Sequence, residues 1–175
     1  MSLMKNGKKG IKEIVFILPN GEGLNRRQFC NYFEKKVLRT IRKFMLIPHF
    51  GKESLKEVIS LLSRKEKSGK FVILNDSLDD IASGILSAVF SDIKSLSKLA
   101  PKFKFKNRIF IRPFYLIEAK EIEVYAKLKN MKINKKRKSL GIQNALSILN
   151  SLEIKHPEIK HAVVNSFLQI SNLNF

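Results

Sequence analysis

Two adjacent carboxylates, Asp79 and Asp80, are the first residues whose chemistry the sequence suggests. Two carboxylates side by side could hold a Mg²⁺ ion together with phosphate oxygens. They also follow Ser77 and Leu78 at the start of a helical pattern, where acidic side chains are stabilised by the helix macrodipole. We favour this structural interpretation, and we keep nucleotide binding by the two residues as the alternative.

Thiol and imidazole chemistry has few candidate residues. The chain has one cysteine, Cys30, which argues against a disulfide, a four-cysteine zinc site and a cysteine-ligated cluster. Its three histidines, His49, His156 and His161, show no metal-binding spacing with a second ligand. The sequence therefore predicts no zinc and no iron–sulfur cluster, and it favours a protein without a resident cofactor.

Positive charge is the strongest chemical signal. The 175 residues carry 34 Lys and Arg against 15 Asp and Glu, a net charge of +19, and many of the cations fall in three runs: 26–43, 98–112 and 127–138. Neutralising several phosphates at once releases several counterions, so clustered cations favour a polyanion such as RNA. The residues assigned to RNA contact are Arg26, Arg27, Lys35, Lys36, Arg39, Arg42, Lys43, Lys102, Lys104, Lys106, Arg108, Arg112, Lys135, Lys136, Arg137 and Lys138.

The charge also allows two alternatives to RNA. A solvated basic surface in a lysine-rich proteome accounts for any single run, and an anionic membrane surface is a weaker alternative because the helices need their apolar sides for the core. The second run is interleaved with Phe103, Phe105 and Phe110. No apolar run approaches the roughly 18 residues of a membrane helix, and no signal peptide is recognisable. We expect a cytoplasmic protein with no membrane partner.

Apolar spacing predicts the elements that must position these residues. The length corresponds to one domain, and the 44% hydrophobic content is sufficient for a core. Strand, helix and strand in the middle of the chain predict a βαβ unit with a parallel sheet. The predicted strands are 12–18, 71–74 and 108–112, and the predicted helices are 25–45, 54–67, 77–93, 118–129, 139–153 and 157–171. Residues 19–23 fit either an anion-binding loop or a hairpin turn.

Four colinear segments resemble the PP-loop ATP pyrophosphatases that 2-thiolate tRNA, in the archaeal and eukaryotic wobble-uridine branch. The segments are FVILNDSLDD at 71–80, RPF at 112–114 with EAKEIEVY at 118–125, LNSLE at 149–153 with HPEIK at 156–160, and the helix at 29–43. The resemblance implies an α/β fold with a reduced Rossmann-like (HUP or PP-loop type) parallel sheet and an all-helical C-terminal third. It also implies a zinc-ribbon remnant at 1–24, a reduced core at 25–130 and a helical segment at 131–175, in one compact unit.

Departures from the family pattern affect the expected chemistry. Active members carry a Ser-Gly-Gly-Lys-Asp-Ser phosphate loop, whose backbone N–H groups close on phosphate. The nearest counterpart here is Gly51-Lys52-Glu53-Ser54, and Ser54 as a helix N-cap accounts for it without a ligand. The family's catalytic cysteine pair is missing as well. The candidate nucleotide-binding remnant, for ATP with Mg²⁺, is Gly51, Lys52, Ser54, Asp79 and Asp80.

Three functional hypotheses follow. The first is an RNA-binding, catalytically degenerate homologue of the tRNA-thiolation enzymes, with no catalytic residue assigned, which acts on tRNA or other structured RNA alone or with an active paralogue. The second is a minimal tRNA-modifying enzyme that binds ATP and adenylates RNA. The third is a protein-interaction module without nucleic acid. Self-association is also expected, because a sheet of two strands leaves its edges open.

Overall fold

The computed structural model describes residues 13–47, 58–59, 67–68, 71–133 and 137–172. Val58 and Ile59, from the predicted helix at 54–67, are helical and buried. Lys67, the predicted end of that helix, instead lies in a strand, because it pairs with Val72. The sequence-predicted residues that lie outside the described ranges are Gly51, Lys52, Ser54, Lys135 and Lys136.

A small antiparallel hairpin precedes the first helix. Strand β1 (Ile14–Ile17) pairs with β2 (Gly23–Asn25), and the turn between them contains Gly21 at φ +84°, a backbone conformation that glycine adopts without steric cost. Residues 19–23 therefore belong to a hairpin, one of the two alternatives that the sequence allowed, with Gly23 already in β2.

Helix α1 (Arg26–Lys43) begins at a capping box. The Asn25 side chain accepts hydrogen bonds from the backbone N–H groups of Arg27 and Gln28, while the Gln28 side chain accepts one from the Asn25 N–H. The apolar residues at helical spacing are buried, which confirms the amphipathic helix that the sequence predicts. They are Phe29, Phe33, Val37 and Ile41.

The main sheet has four strands in the order β3–β4–β6–β5. These are β3 (Lys67–Ser68), β4 (Phe71–Ile73), β5 (Lys102–Phe105) and β6 (Arg108–Ile111). Strands β4 and β6 are parallel, as the sequence predicts, and both outer pairs are antiparallel. The crossover between β4 and β6 contains helix α2 (Leu78–Ser91), a 3₁₀ helix (Ile93–Leu99) and strand β5. The α/β class is confirmed, and antiparallel strands are added on both sides of the parallel pair.

The last third of the described chain is helical, as predicted. Its helices are α3 (Ala119–Leu128), α4 (Leu140–Glu153) and α5 (Ile159–Asn172). No described helix combines the length and the apolar composition needed to cross a bilayer. The division at 24 and 130 stays a prediction, and Leu24 of the hairpin shares a core with α1 and α3.

Two apolar cores hold these elements together. The first lies between α1, α3 and the sheet, and the second lies between α2, α4 and α5. Fully burying one large apolar side chain contributes roughly 1.5–3 kcal/mol. The ring of Phe44, just after α1, packs against both cores. The C-terminal end of α1 is therefore fixed to both halves of the protein.

Candidate nucleic-acid interface

The β5–β6 hairpin carries most of the second basic run. Its turn consists of Lys106 and Asn107, both at positive φ (46° and 60°), which is the signature of a type I′ turn. Asn suits this conformation, whereas a lysine in it is strained. The sequence did not predict β5, because in Lys102–Phe105 lysine and phenylalanine alternate without a continuous apolar run.

Three phenylalanine rings form a ladder on one face of this hairpin. Phe103 and Phe110, which pair across the two strands, stack with centroids 4.8 Å apart and planes 11° apart. The Phe105 ring lies 6.5 Å from Phe110 and is 44% exposed. The ammonium groups of Lys98 and Lys106 lie over that ring, 5.4 and 5.6 Å from its centroid. An exposed aromatic ring is thus backed by other rings and surrounded by cations.

A cavity of about 820 Å³ runs beside β5, between the C-terminal end of α1 and helix α5. We call it the hairpin groove. Its volume falls within the roughly 300–1,000 Å³ of ligand pockets. Its described lining contains no Asp or Glu, and α5 contributes the polar side chains Asn165 and Gln169. The basic and aromatic lining residues are Lys43, Lys98, Lys102, Lys104, Phe44, Phe103 and Phe105. Such a lining suits an anion that also has a planar ring.

The buried side chain of Arg112 stabilises the wall of the groove through hydrogen bonds. Its guanidinium donates to the Asp76 carboxylate (Nε to Oδ2, 2.8 Å) and to the carbonyl oxygens of Ala100 and Lys98 (2.6 and 2.7 Å). It also lies 5.0 Å from the Phe103 ring centroid. The residue is only 4% exposed. The side chain of Arg112, which the sequence analysis assigned to RNA contact, is therefore buried and fixes the chain that leads into β5, and we leave it out of the proposed interface.

The basic residues of α1 also include one that is paired within the protein and several that are exposed. Lys36 forms an ion pair with Glu121 of α3 (2.7 Å), and the Tyr32 hydroxyl donates to the same carboxylate. We therefore leave Lys36 out of the proposed interface. The other six predicted cations of this helix are exposed: Arg26, Arg27, Lys35, Arg39, Arg42 and Lys43.

Four of the exposed α1 cations share one face. Arg39 follows Lys35 by four residues, and Arg42 and Lys43 follow Arg39 by three and four, which places all of them along one side of the helix over about 12 Å. Lys43 also lines the hairpin groove. We call these four residues the α1 stripe. The stripe and the groove therefore meet at Lys43 and form one basic surface.

Asp79, a predicted nucleotide-binding residue, is buried at the junction of three helices. Its carboxylate accepts a hydrogen bond from the Ala119 N–H at the start of α3 (2.7 Å) and pairs with Lys160 of α5 (2.7 Å). Lys160 also pairs with Glu153 of α4 (2.7 Å). Burial alone would lower the pKa of Lys160, but its bonds to these two carboxylates raise it. We call Asp79, Lys160 and Glu153 the buried triad.

Asp80 is engaged at the start of its own helix. Its carboxylate accepts hydrogen bonds from the Ser77 N–H and hydroxyl (2.9 and 2.8 Å) and pairs with Lys138 (2.7 Å). Burial would raise the pKa of Asp80, but the bonds from Lys138 and Ser77 together lower it. This is a capping box, as the first-turn interpretation implies. Nucleotide binding by Asp79 and Asp80 stays a prediction.

Five further predicted RNA contacts lie at the surface, whereas Lys138 is half-buried and pairs with Asp80. Lys102, Lys104, Lys106 and Arg108 are exposed on the β5–β6 hairpin, and Arg137 is exposed before α4. Lys102 donates to the Met45 carbonyl (3.1 Å). An ammonium group has three donors, so this bond leaves Lys102 able to bind a phosphate as well.

The sequence analysis missed the buried triad and the groove. Lys160 and Glu153 fall within segments that carried the family resemblance, but their spacing gives no sign that one lysine joins two carboxylates. For the groove, the signal was present in the alternation of Lys and Phe at 102–105. Because successive side chains of a strand point to opposite faces, that alternation is typical of a strand with a cationic side and an aromatic side.

Comparison with known proteins finds likenesses among solved structures only. No family model matches the chain, and no curated protein matches it. Among solved structures, the chain is similar to the U34-tRNA thiolase NcsA from Methanococcus maripaludis, solved with its [4Fe-4S] cluster. The TM-score is 0.49, the identity is 20%, and the match covers 84% of this chain and 44% of that one. This chain thus matches less than half of the length of the thiolase.

The comparison corrects the cofactor prediction. The sequence led us to expect no iron–sulfur cluster, and this is contradicted, because the matched thiolase was solved with a [4Fe-4S] cluster. Within the described residues, no group of three or more His, Cys, Asp or Glu side chains is placed to hold a metal ion. No step of the function proposed below is built on a cluster.

Proposed function

We propose that the protein binds RNA through the α1 stripe and the hairpin groove, and that the RNA is tRNA or another structured RNA. The observation that carries this proposal is the groove itself, in which four lysines line a cavity whose described lining includes no carboxylate. The choice of tRNA rests on the sequence segments that resemble the tRNA-thiolation family.

The arrangement of charges supports a polyanion as the partner. The carboxylates of Asp79 and Glu153 pair with Lys160, and that of Asp80 pairs with Lys138, so these negative charges are balanced within the protein. The stripe and the groove extend over a surface longer than a single phosphate, so several phosphates can be neutralised together. Each neutralised phosphate releases counterions, and these contributions add up to a strong, salt-dependent affinity.

The proposal assigns binding, and no chemical step, to these residues. Asp79 and Asp80 are engaged by Lys160, Lys138 and backbone or hydroxyl donors of the protein. A cytoplasmic location, an active paralogue and a second copy of the chain as further partners remain predictions from the sequence.

Titration of a fluorescent tRNA at several salt concentrations tests the proposal. We expect the logarithm of the affinity to fall linearly with the logarithm of salt concentration. The Arg39→Ala/Arg42→Ala variant should bind more weakly, and its slope should be shallower by about 0.9 for each duplex phosphate that the variant no longer neutralises. Affinity that does not change with salt would contradict the proposal.

A matched control is the Lys94→Ala/Lys155→Ala variant. Both lysines are exposed and lie outside the stripe and the groove, so the control removes the same net charge elsewhere. We expect it to keep most of the affinity and the slope of the wild type. Equal losses in the two variants would show that net charge, and not this surface, drives the binding.

A further inference from the structure

We infer that the hairpin groove seats an unpaired nucleotide, with its base stacked on the Phe105 ring and its phosphate held by the groove lysines. This inference rests on the proposed RNA binding and adds which part of the RNA is recognised. Three observations carry it: the exposure of the ring, the position of the ammonium groups and the strain at the hairpin turn.

The Phe105 ring is placed as a stacking platform. Phe105 is 44% exposed. Its ring centroid lies 6.5 Å from that of Phe110, which in turn stacks on Phe103. A ring supported in this way loses little side-chain freedom when a base stacks on it. Stacking of a base on an aromatic side chain is worth about 1–3 kcal/mol and requires no particular base.

A base can compete with each of the ammonium groups near this ring. Lys98 and Lys106 lie over Phe105 at 5.4 and 5.6 Å, and a cation–π contact at an exposed site is worth about 0.5–1 kcal/mol. The stacking of a base is at least as strong. A base can therefore displace a lysine from the ring, and the displaced ammonium group lies within reach of the phosphate of that nucleotide.

The turn that carries Lys106 supports a functional role for this end of the hairpin. Lys106 adopts φ 46°, a conformation that Asn or Gly adopts more easily. Backbone strain of this kind concentrates at binding sites. A lysine at this position places one more cation beside the Phe105 ring, at a cost in stability.

A base in a duplex does not fit this site. In A-form RNA the bases are stacked on each other, and the accessible groups are phosphates, 2′-hydroxyls and base edges. Loops, bulges and single-stranded ends present a free base face together with a phosphate. The groove should therefore favour the unpaired parts of an RNA, while the α1 stripe binds phosphates of either kind.

The test compares Phe105→Ala with Phe90→Ala on three ligands of equal charge: a single-stranded RNA, a blunt RNA duplex and an abasic strand. Phe90 is a matched control, because it is 77% exposed and lies at the end of α2, outside the lining of the groove. We expect Phe105→Ala to weaken single-strand binding roughly 5- to 150-fold, the equivalent of losing one stacked base. Its binding to the duplex and to the abasic strand should stay within about twofold of wild type.

Two additional variants exclude a folding effect. Phe105→Leu keeps the apolar bulk and removes the ring, so it should lose single-strand affinity, whereas Phe105→Tyr keeps the ring and should retain it. Thermal unfolding should be similar in all of these variants, since Phe105 is 44% exposed and belongs to neither apolar core.

The possible outcomes separate this inference from the proposed function. Failure of the wild type to bind any of the RNAs overturns both. Binding of RNA with equal affinities for Phe105→Ala and Phe90→Ala, or equal losses on the abasic strand, overturns the nucleotide site and leaves RNA binding in place. Phosphatidylserine vesicles serve as the last ligand: a loss by Phe105→Ala on vesicles and not on single-stranded RNA would assign the groove to a membrane surface and overturn the inference.

Discussion

At the start of α2 each carboxylate has partners inside the protein, whereas at the hairpin groove four lysines line a cavity that has no carboxylate among its described residues. Asp79 lies 2.7 Å from Lys160, and Asp80 lies 2.7 Å from Lys138. Lys98 and Lys104, in contrast, are exposed in the groove. Asp79, Asp80 and the lysines of the second basic run all stood out in the sequence, yet the two carboxylates are engaged within the protein and the lysines face the solvent.

The difference shows which charges stabilise the fold and which are available to a partner. A buried ion pair is costly to break, since the remaining charge has no water to solvate it. An exposed lysine contributes little to stability. The charges at the start of α2 therefore belong to the fold, and the charges of the groove can be removed with little effect on folding.

The largest effect on stability is expected from Lys160→Ala. The change leaves Asp79 and Glu153 without their shared cation, and we expect the free energy of unfolding to fall by about 3–5 kcal/mol. Urea denaturation measures it, with the exposed Lys155→Ala as the control, which should change by less than about 0.5 kcal/mol. Similar small changes in both variants would show that the buried triad does not stabilise the fold.

A second prediction uses the pKa of Asp80, which the bonds from Lys138 and Ser77 lower. A carboxyl whose pKa is lower in the folded state stabilises the protein above the unfolded pKa of about 3.9 and loses this contribution as the pH falls through the folded value. At neutral pH Asp80→Asn should cost about 1.5–3 kcal/mol, typical of a hydrogen bond to a charged group.

The pH profile of that variant provides the check. Unfolding free energies of wild type and Asp80→Asn should converge as the pH falls below about 4. Glu22→Gln, on an exposed residue of the β1–β2 turn, should show no such convergence. A difference between wild type and Asp80→Asn that persists at low pH would mean that the Asp80 charge is not the stabilising feature.

The smallest effect is expected from Lys106→Asn, which tests whether a charge of the hairpin serves binding at the expense of stability. Asn adopts positive φ more easily than Lys, so the variant should gain up to about 1 kcal/mol in stability. It should also bind RNA more weakly, because a cation near Phe105 is removed. Lys104→Asn, in an extended strand, should lose affinity without gaining stability. Unfolding and RNA titration on the same samples decide whether stability and binding oppose each other at this turn.

Local patterns predicted much of the fold. The apolar spacing of α1 and the Ser77 cap of α2 depend on residues close together in the chain, and both were predictable. Lys160 and Asp79 are 81 positions apart, so no local pattern could pair them. Arg112 looked like one more cation of a basic run, and only the approach of Asp76 and two carbonyl groups shows why it is buried.

Strand β5 lies at the open edge of the four-stranded sheet, where a second copy of the chain could add its own strand. Lys102 and Lys104 point their charges to the same side of that strand. Edge-to-edge pairing of two copies would crowd these ammonium groups together, so they oppose fibrillar aggregation of the isolated protein. A polyanion that neutralises them would remove the repulsion and cover the strand at the same time.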